Sequence, residues 1–169
     1  AMDIVVGDFR ADGYMDLLVL GTDGSLTLLA NTAGTGFSSR PAGATPVEGR
    51  GGLAVADLDN DGDLDLIAYG AGGVHPMAWS GEGFSGGSTL ATPVPATHVL
   101  ARDMDGDGAI DIWANGSLFH NLTAGGHWLK VSLKGLNSNP QGIGAKIEVV
   151  ASGRRQKREV RLSSRDPQV

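Results

Sequence analysis

Apolar residues in this chain come in short runs bounded by Gly, Asn, Asp and Ser, and no stretch of eleven or more residues repeats them with the 3.6-residue period of an amphipathic helix. The runs Ile4–Val6, Leu53–Ala56 and His98–Ala101 each precede an acidic segment, and Leu17–Leu20, Leu66–Tyr69 and Ile110–Trp113 each follow one. Short apolar runs punctuated in this way predict strands. A turn and a third run come next, as in residues 21–25 leading into Leu26–Asn31 and Asn115-Gly116 leading into Ser117–Asn121. Asn-Gly is a strong two-residue hairpin signal, because both central positions of that turn need positive φ. The recurring unit is therefore strand, acidic loop, strand, turn, strand, and the chain is predicted to be all-β. Glycine, at 27 of 169 residues, fits a fold with many tight turns.

The acidic segments hold twelve of the fifteen aspartates, in the windows 8–16, 57–65 and 103–111, whose first residues lie 49 and then 46 positions apart. A period in this range predicts a repeat array, solenoid or propeller. The expected organisation is repeat one over 1–48, repeat two over 49–95, a partial third repeat over 96–125, and a small β segment over 126–169, where the acidic loop is missing and two longer stretches alternate. Three blade-like units cannot close a ring, since propellers use at least four blades. The chain is expected to be part of a longer protein, or to complete its sheets by self-association through exposed blade edges.

Read as D-x-D-x-D-G-x-x-D, the second and third windows are complete, whereas the first has Arg10 at its third position. Carboxylates packed this closely repel by about 4 kcal/mol per pair at 4 Å and an effective dielectric of 20. A hard divalent cation with oxygen ligands relieves that repulsion, and calcium, which accepts six to eight oxygens, suits it better than magnesium. An EF-hand needs flanking helices and a glutamate at position twelve, where this chain has Val19, Ala68 and Ala114. Dockerin-type loops open into a helix, while here the flanks alternate as strands. A β-hairpin calcium loop is left, with side chains one, three, five and nine and carbonyl seven around one ion, and Gly at six making the turn.

These windows and their flanks, GDFRADGYMDLLVLG, VADLDNDGDLDLIAYG and ARDMDGDGAIDIWANG, resemble FG-GAP/VCBS repeats, the blades of integrin-α-like β-propellers. The resemblance implies calcium at Asp57, Asp59, Asp61, Asp65 and the Asp63 carbonyl, and at Asp103, Asp105, Asp107, Asp111 and the Ala109 carbonyl. The first loop keeps Asp8, Asp12, Asp16 and the Tyr14 carbonyl, and with Arg10 among them its site is expected to be weak or empty. The final segment resembles the start of an ASPIC/UnbV domain in its His127-Trp128-Leu129 opening, Leu133 and Gly135, the Ser138-Asn139 turn, the run Gly142-Ile143-Gly144-Ala145, and Gln156 and Glu159. The family segment normally runs further than this chain, which ends LSSRDPQV.

Composition narrows the functional classes. No run approaches the eighteen apolar residues of a membrane span, and residues 1–9 do not form an export signal. Cysteine is absent, which excludes disulfides and thiolate metal sites. A net charge of -6 argues against nucleic acid, and the cluster at Arg154, Arg155, Lys157 and Arg158 reads as a solvated strand. His75, His98, His120 and His127 match no zinc spacing, and no serine sits in a nucleophile context. Asn115 and Asn121 head glycosylation sequons in hairpin turns, and Trp79, Trp113 and Trp128 are expected in the core rather than in a carbohydrate platform. The stretches from Thr32 and from Ser80 are long and bland, and read as recognition loops or as blade-to-blade connections. The expectation is a non-enzymatic, calcium-stabilised propeller module, extracellular, cell-surface or periplasmic, that binds a protein or glycan in adhesion. The alternative is the non-catalytic part of a larger enzyme active on polysaccharide or in biosynthesis.

Overall fold

The computed structural model describes residues 2–47, 50–123, 128–129, 131–135, 139–151 and 154–160. Among them there is no helix, only thirteen strands in four antiparallel sheets. The first sheet runs β1 (Asp3–Gly7), β2 (Asp16–Leu20), β3 (Ser25–Asn31) and β4 (Phe37–Ala44) in consecutive order. The second repeats that order with β5 (Gly51–Ala56), β6 (Asp65–Gly70), β7 (Gly73–Trp79) and β8 (Phe84–Gly86). The third has β9 (Val99–Arg102), β10 (Asp111–Ala114) and β11 (Ser117–Phe119), with β11 at its edge. β12 (Lys146–Ala151) and β13 (Arg154–Glu159) form a separate two-stranded ladder. The first three sheets are blades of the propeller type, and their ring is not closed. His127, Ser138 and residues 162–169 lie outside the described residues.

Side chains alternate across a strand, so a sheet covered on both faces must be apolar throughout. The second sheet meets that condition: every residue of β6 is buried. Leu53, Val55, Leu66 and Ala68 face the first sheet, where they meet Leu18, Leu20, Leu26 and Leu28. Ala54, Ala56, Ile67 and Tyr69 face the third, with Ala101, Ile112 and Ala114. Gly52 is required where the sheets approach, because an added Cβ would run into the Tyr69 ring and lie 2.9 Å from Asp3 Oδ2. That oxygen accepts the Leu53 N–H at 2.8 Å and so fastens β1 to β5.

The outer end of the first seam is aromatic. Phe84 stands edge-on to Phe9 with ring centroids 5.7 Å apart and lies 4.8 Å from Trp79, and the Arg40 guanidinium covers the Trp79 ring at 5.6 Å. Arg40 also donates to the Glu82 carbonyl at 2.6 Å, tying β4 to the turn before β8. These two strands correct the sequence reading, which expects only loops, for recognition or connection, in the stretches from Thr32 and Ser80. β4 was illegible because most of its side chains are exposed and it contains Pro41 and Gly43, both tolerated at a sheet edge. β8 has only three residues. Of the tryptophans, Trp79 is core, while Trp113 and Trp128 are 39% and 52% exposed.

Phe37 and Phe84 both open the fourth strand of a sheet, but Phe37 is 53% exposed and Phe84 is buried. Phe84→Ala is therefore expected to cost about 3–5 kcal/mol in urea unfolding, and Phe37→Ala less than about 1 kcal/mol. Equal losses would mean that the seam is not the core that holds the first two sheets together.

Candidate metal centre

Each acidic loop joins the first two strands of a blade and is shaped by its own carboxylates. In the second, Asp57 Oδ1 accepts the Asp61 N–H at 3.1 Å and Oδ2 the Gly62 N–H at 3.0 Å, while Asp59 Oδ1 takes the Asp61 N–H at 3.1 Å. In the third, Asp103 accepts from Gly106 at 2.6 Å and from Gly108 at 3.3 Å, and Asp105 from Asp107 at 3.1 Å. Such turns need left-handed backbone. Position six supplies it with Gly13, Gly62 and Gly108, and position four supplies it again with Ala11, Asn60 and Gly106. The second requirement is not evident from the acidic spacing, since Ala11 is no turn former.

The carboxylates at positions one, three and five converge. Asp57, Asp59 and Asp61 each bring an oxygen within 4.8 Å of the others, as do Asp103, Asp105 and Asp107. Position nine is placed differently. Asp65 is buried and accepts backbone N–H groups from Leu58 at 2.9 Å and Trp79 at 3.0 Å, and Asp111 accepts from Met104 and Asn121, both at 2.9 Å. These two aspartates thus bind the loop to the end of the third strand, and a carboxylate with four lone-pair sites keeps capacity beyond them. Asp63 and Ala109 each donate N–H to the aspartate two residues back, at 2.8 Å. His120 Nδ1, which the spacing gave no reason to select, lies 3.6 Å from both Asp105 and Asp111. With those two it forms a second group able to hold an ion.

The first loop has the same backbone, with Asp8 accepting from Asp12 at 3.1 Å and Gly13 at 2.8 Å, and Tyr14 N–H donating to Asp12 at 2.9 Å. Arg10 fills its interior. The guanidinium donates to Asp16 at 3.0 and 3.3 Å, to the Asn31 carbonyl at 2.7 Å, and pairs with Asp12 at 2.8 Å. Hydrogen bonding to Asp16, followed by the charges of Asp16, Asp12 and Asp8, holds Arg10 still more firmly protonated than usual. Of the other histidines, His75 is buried against Thr89 at 3.0 Å, and burial lowers its pKa.

The all-carboxylate groups at positions one, three and five suit a hard cation, and the electrostatics of the second loop agree with that chemistry. Burial pushes Asp57 up to about 6, and the neighbouring Asp61, Asp65 and Asp59 add to it. Asp65 is also raised to about 6, by burial first, although the N–H groups of Trp79 and Leu58 oppose the shift.

Residues 8–68 match the family described as FG-GAP-like repeat, a span that holds the first two acidic loops and the strands β2–β5. Among solved structures, the crystal structure of the V. cholerae biofilm matrix protein Bap1 is similar, at 22% identity and a TM-score of 0.49. The alignment covers 77% of this chain and 20% of that one, so the chain spans about a fifth of its length. No curated protein matches the chain.

Without metal, Asp57 and Asp65 hold their protons more tightly in the fold than in the unfolded chain, because each folded pKa near 6 lies above the ordinary 3.8. Their contribution to stability is complete below about pH 4 and is lost as the pH rises through about 6. In EDTA, the midpoint of thermal unfolding should fall across that window, and Asp57→Asn should flatten the fall. A slope unchanged by Asp57→Asn would remove this carboxylate as its source.

Proposed function

We propose that the chain is a calcium-stabilised, non-enzymatic propeller module of an extracellular or cell-surface protein, serving adhesion or the binding of a protein or glycan. The observation that carries the calcium reading is the convergence of Asp57, Asp59 and Asp61, and of Asp103, Asp105 and Asp107. The FG-GAP-like match over residues 8–68 supports a module of repeated blades. No helix among the described residues is long and apolar enough to cross a membrane.

In this reading those six aspartates hold two ions, with Asp65 and Asp111 fixing each loop to its sheet from behind. The ion supplies positive charge among carboxylates that otherwise repel. The chain supplies geometry, because backbone N–H groups hold Asp57 and Asp103 in place before any ion arrives. Binding that favours the folded state stabilises it by about 2.7 kcal/mol at a hundred times the dissociation constant. The role of the ions is structural, and the carboxylates serve the fold rather than acid-base chemistry. Asp65 in particular is engaged by two backbone donors.

Calorimetric titration of the metal-free protein with calcium should give two sites, and EGTA, by removing both ions, should lower the melting temperature by roughly 10–20 °C, reversed by excess calcium. A melt that ignores both additions would remove the structural role. Arg10→Asp should raise the stoichiometry to three, because it replaces the guanidinium with the missing carboxylate. A titration still showing two sites would place the obstacle elsewhere in the first loop.

A further inference from the structure

The seam between the second and third sheets is built like the seam between the first and second, and it differs at its outer end. In the first seam, Phe9 from position two of the acidic loop, Trp79 at the end of the third strand and Phe84 from the fourth strand pack together with Ala42 of β4. In the second, Leu58 occupies loop position two, and Asn121 takes the place of Trp79, since each donates its N–H to the position-nine aspartate. The counterpart of Phe84 would come from a strand beyond β11. Among the described residues the third sheet ends at β11.

A cavity of about 420 Å³ opens there, lined by Leu58, Pro76, Ala78, Ile112, Phe119 and Leu122 among others, with β8 along one side. Its walls are mainly apolar, and its volume is that of a ligand site. In the first seam β4 packs on β8, so a strand added to β11 would lie on the other side of β8 and continue that stacking. A sheet edge without a neighbour on one side is a template for strand addition.

We propose that this groove binds an extended peptide segment of a protein partner, which pairs with the edge of β11 and seats an aromatic side chain in the cavity. The neighbouring seam identifies the chemistry. Both fourth strands of the chain, β4 and β8, open with phenylalanine, and Phe84 fills the equivalent position in the first seam. Backbone pairing gives affinity, and the pocket selects the aromatic residue. The proposal gives the protein-binding reading above a location and does not depend on which ion the loops hold.

The natural probe is a peptide of the chain's own β4, GFSSRPAGAT (residues 36–45), titrated into the calcium-saturated chain and followed by amide NMR. Shifts are expected at Leu58, Ile112 and residues 117–119, weakened about tenfold or more when the peptide carries Phe37→Ala. Ala78→Trp, at an exposed position on the cavity wall, should abolish binding and leave the melting temperature unchanged. Three results with the peptide, among others, would overturn the proposal: no shifts at about 1 mM peptide, equal binding of the two peptides, or shifts that Ala78→Trp does not remove. Concentration-dependent shifts at Phe119 without peptide would overturn it in favour of a second copy of the chain. Failure with calcium titration intact would count against the groove alone.

Discussion

Asp65 receives the Leu58 N–H from the acidic loop and the Trp79 N–H from the end of the third strand, and it is itself the first residue of the second strand. One buried carboxylate thus joins three segments of a blade. Asp111 does the same for Met104 and Asn121. A buried carboxylate is costly unless hydrogen-bonded, and a loop N–H left without an acceptor is costly too, so the two requirements satisfy each other. This contact fixes where each loop sits on its sheet, and with it the direction of the aspartates at positions one, three and five. Asn121 extends the tie across the seam, where its side-chain amide donates to the Leu58 carbonyl at 2.6 Å.

Packing between blades follows from strand alternation under a different constraint. The second sheet must present an apolar surface on both faces, and it does so with Ala54, Ala56, Ile67 and Tyr69 toward the third sheet and Leu53, Val55, Leu66 and Ala68 toward the first. The first seam closes with three aromatic rings, and the second, with Leu58 and Asn121 in two of those places, leaves space at the equivalent point.

Much of this was legible in the sequence, and the reason is local. Gly-bounded apolar runs and the acidic spacing identify the first three strands of each blade, because both signals reside within a few residues. β4 and β8 were not legible, since an edge strand is defined by the neighbour it pairs with, and the side chains of β4 are mostly exposed. Spacing alone also treats positions one, three, five and nine as equivalent carboxylates. The difference between Asp57 and Asp65 lies in backbone N–H groups that reach the latter from seven residues earlier and fourteen later. His120 approaches Asp105 and Asp111 only because of the fold of the third sheet, so no sequence motif contains it.

The three loops solve one electrostatic problem in two ways. Each carries several carboxylates on a backbone already folded by their hydrogen bonds, and in the second loop burial raises Asp57 and Asp65 to about 6, so that their ionised forms are disfavoured without a counter-charge. The first loop has its counter-charge built in. Arg10 touches Asp12, Asp16 and the Asn31 carbonyl, and so it also supports the tie at position nine, where Asp16 takes the Asn31 N–H at 2.7 Å. A guanidinium on the same chain is present at any metal concentration, whereas a bound ion stabilises in proportion to the logarithm of its concentration. In the proposed reading the blades of this chain therefore differ in the source of their charge compensation, fixed in the first by Arg10 and left to a bound cation in the second and third.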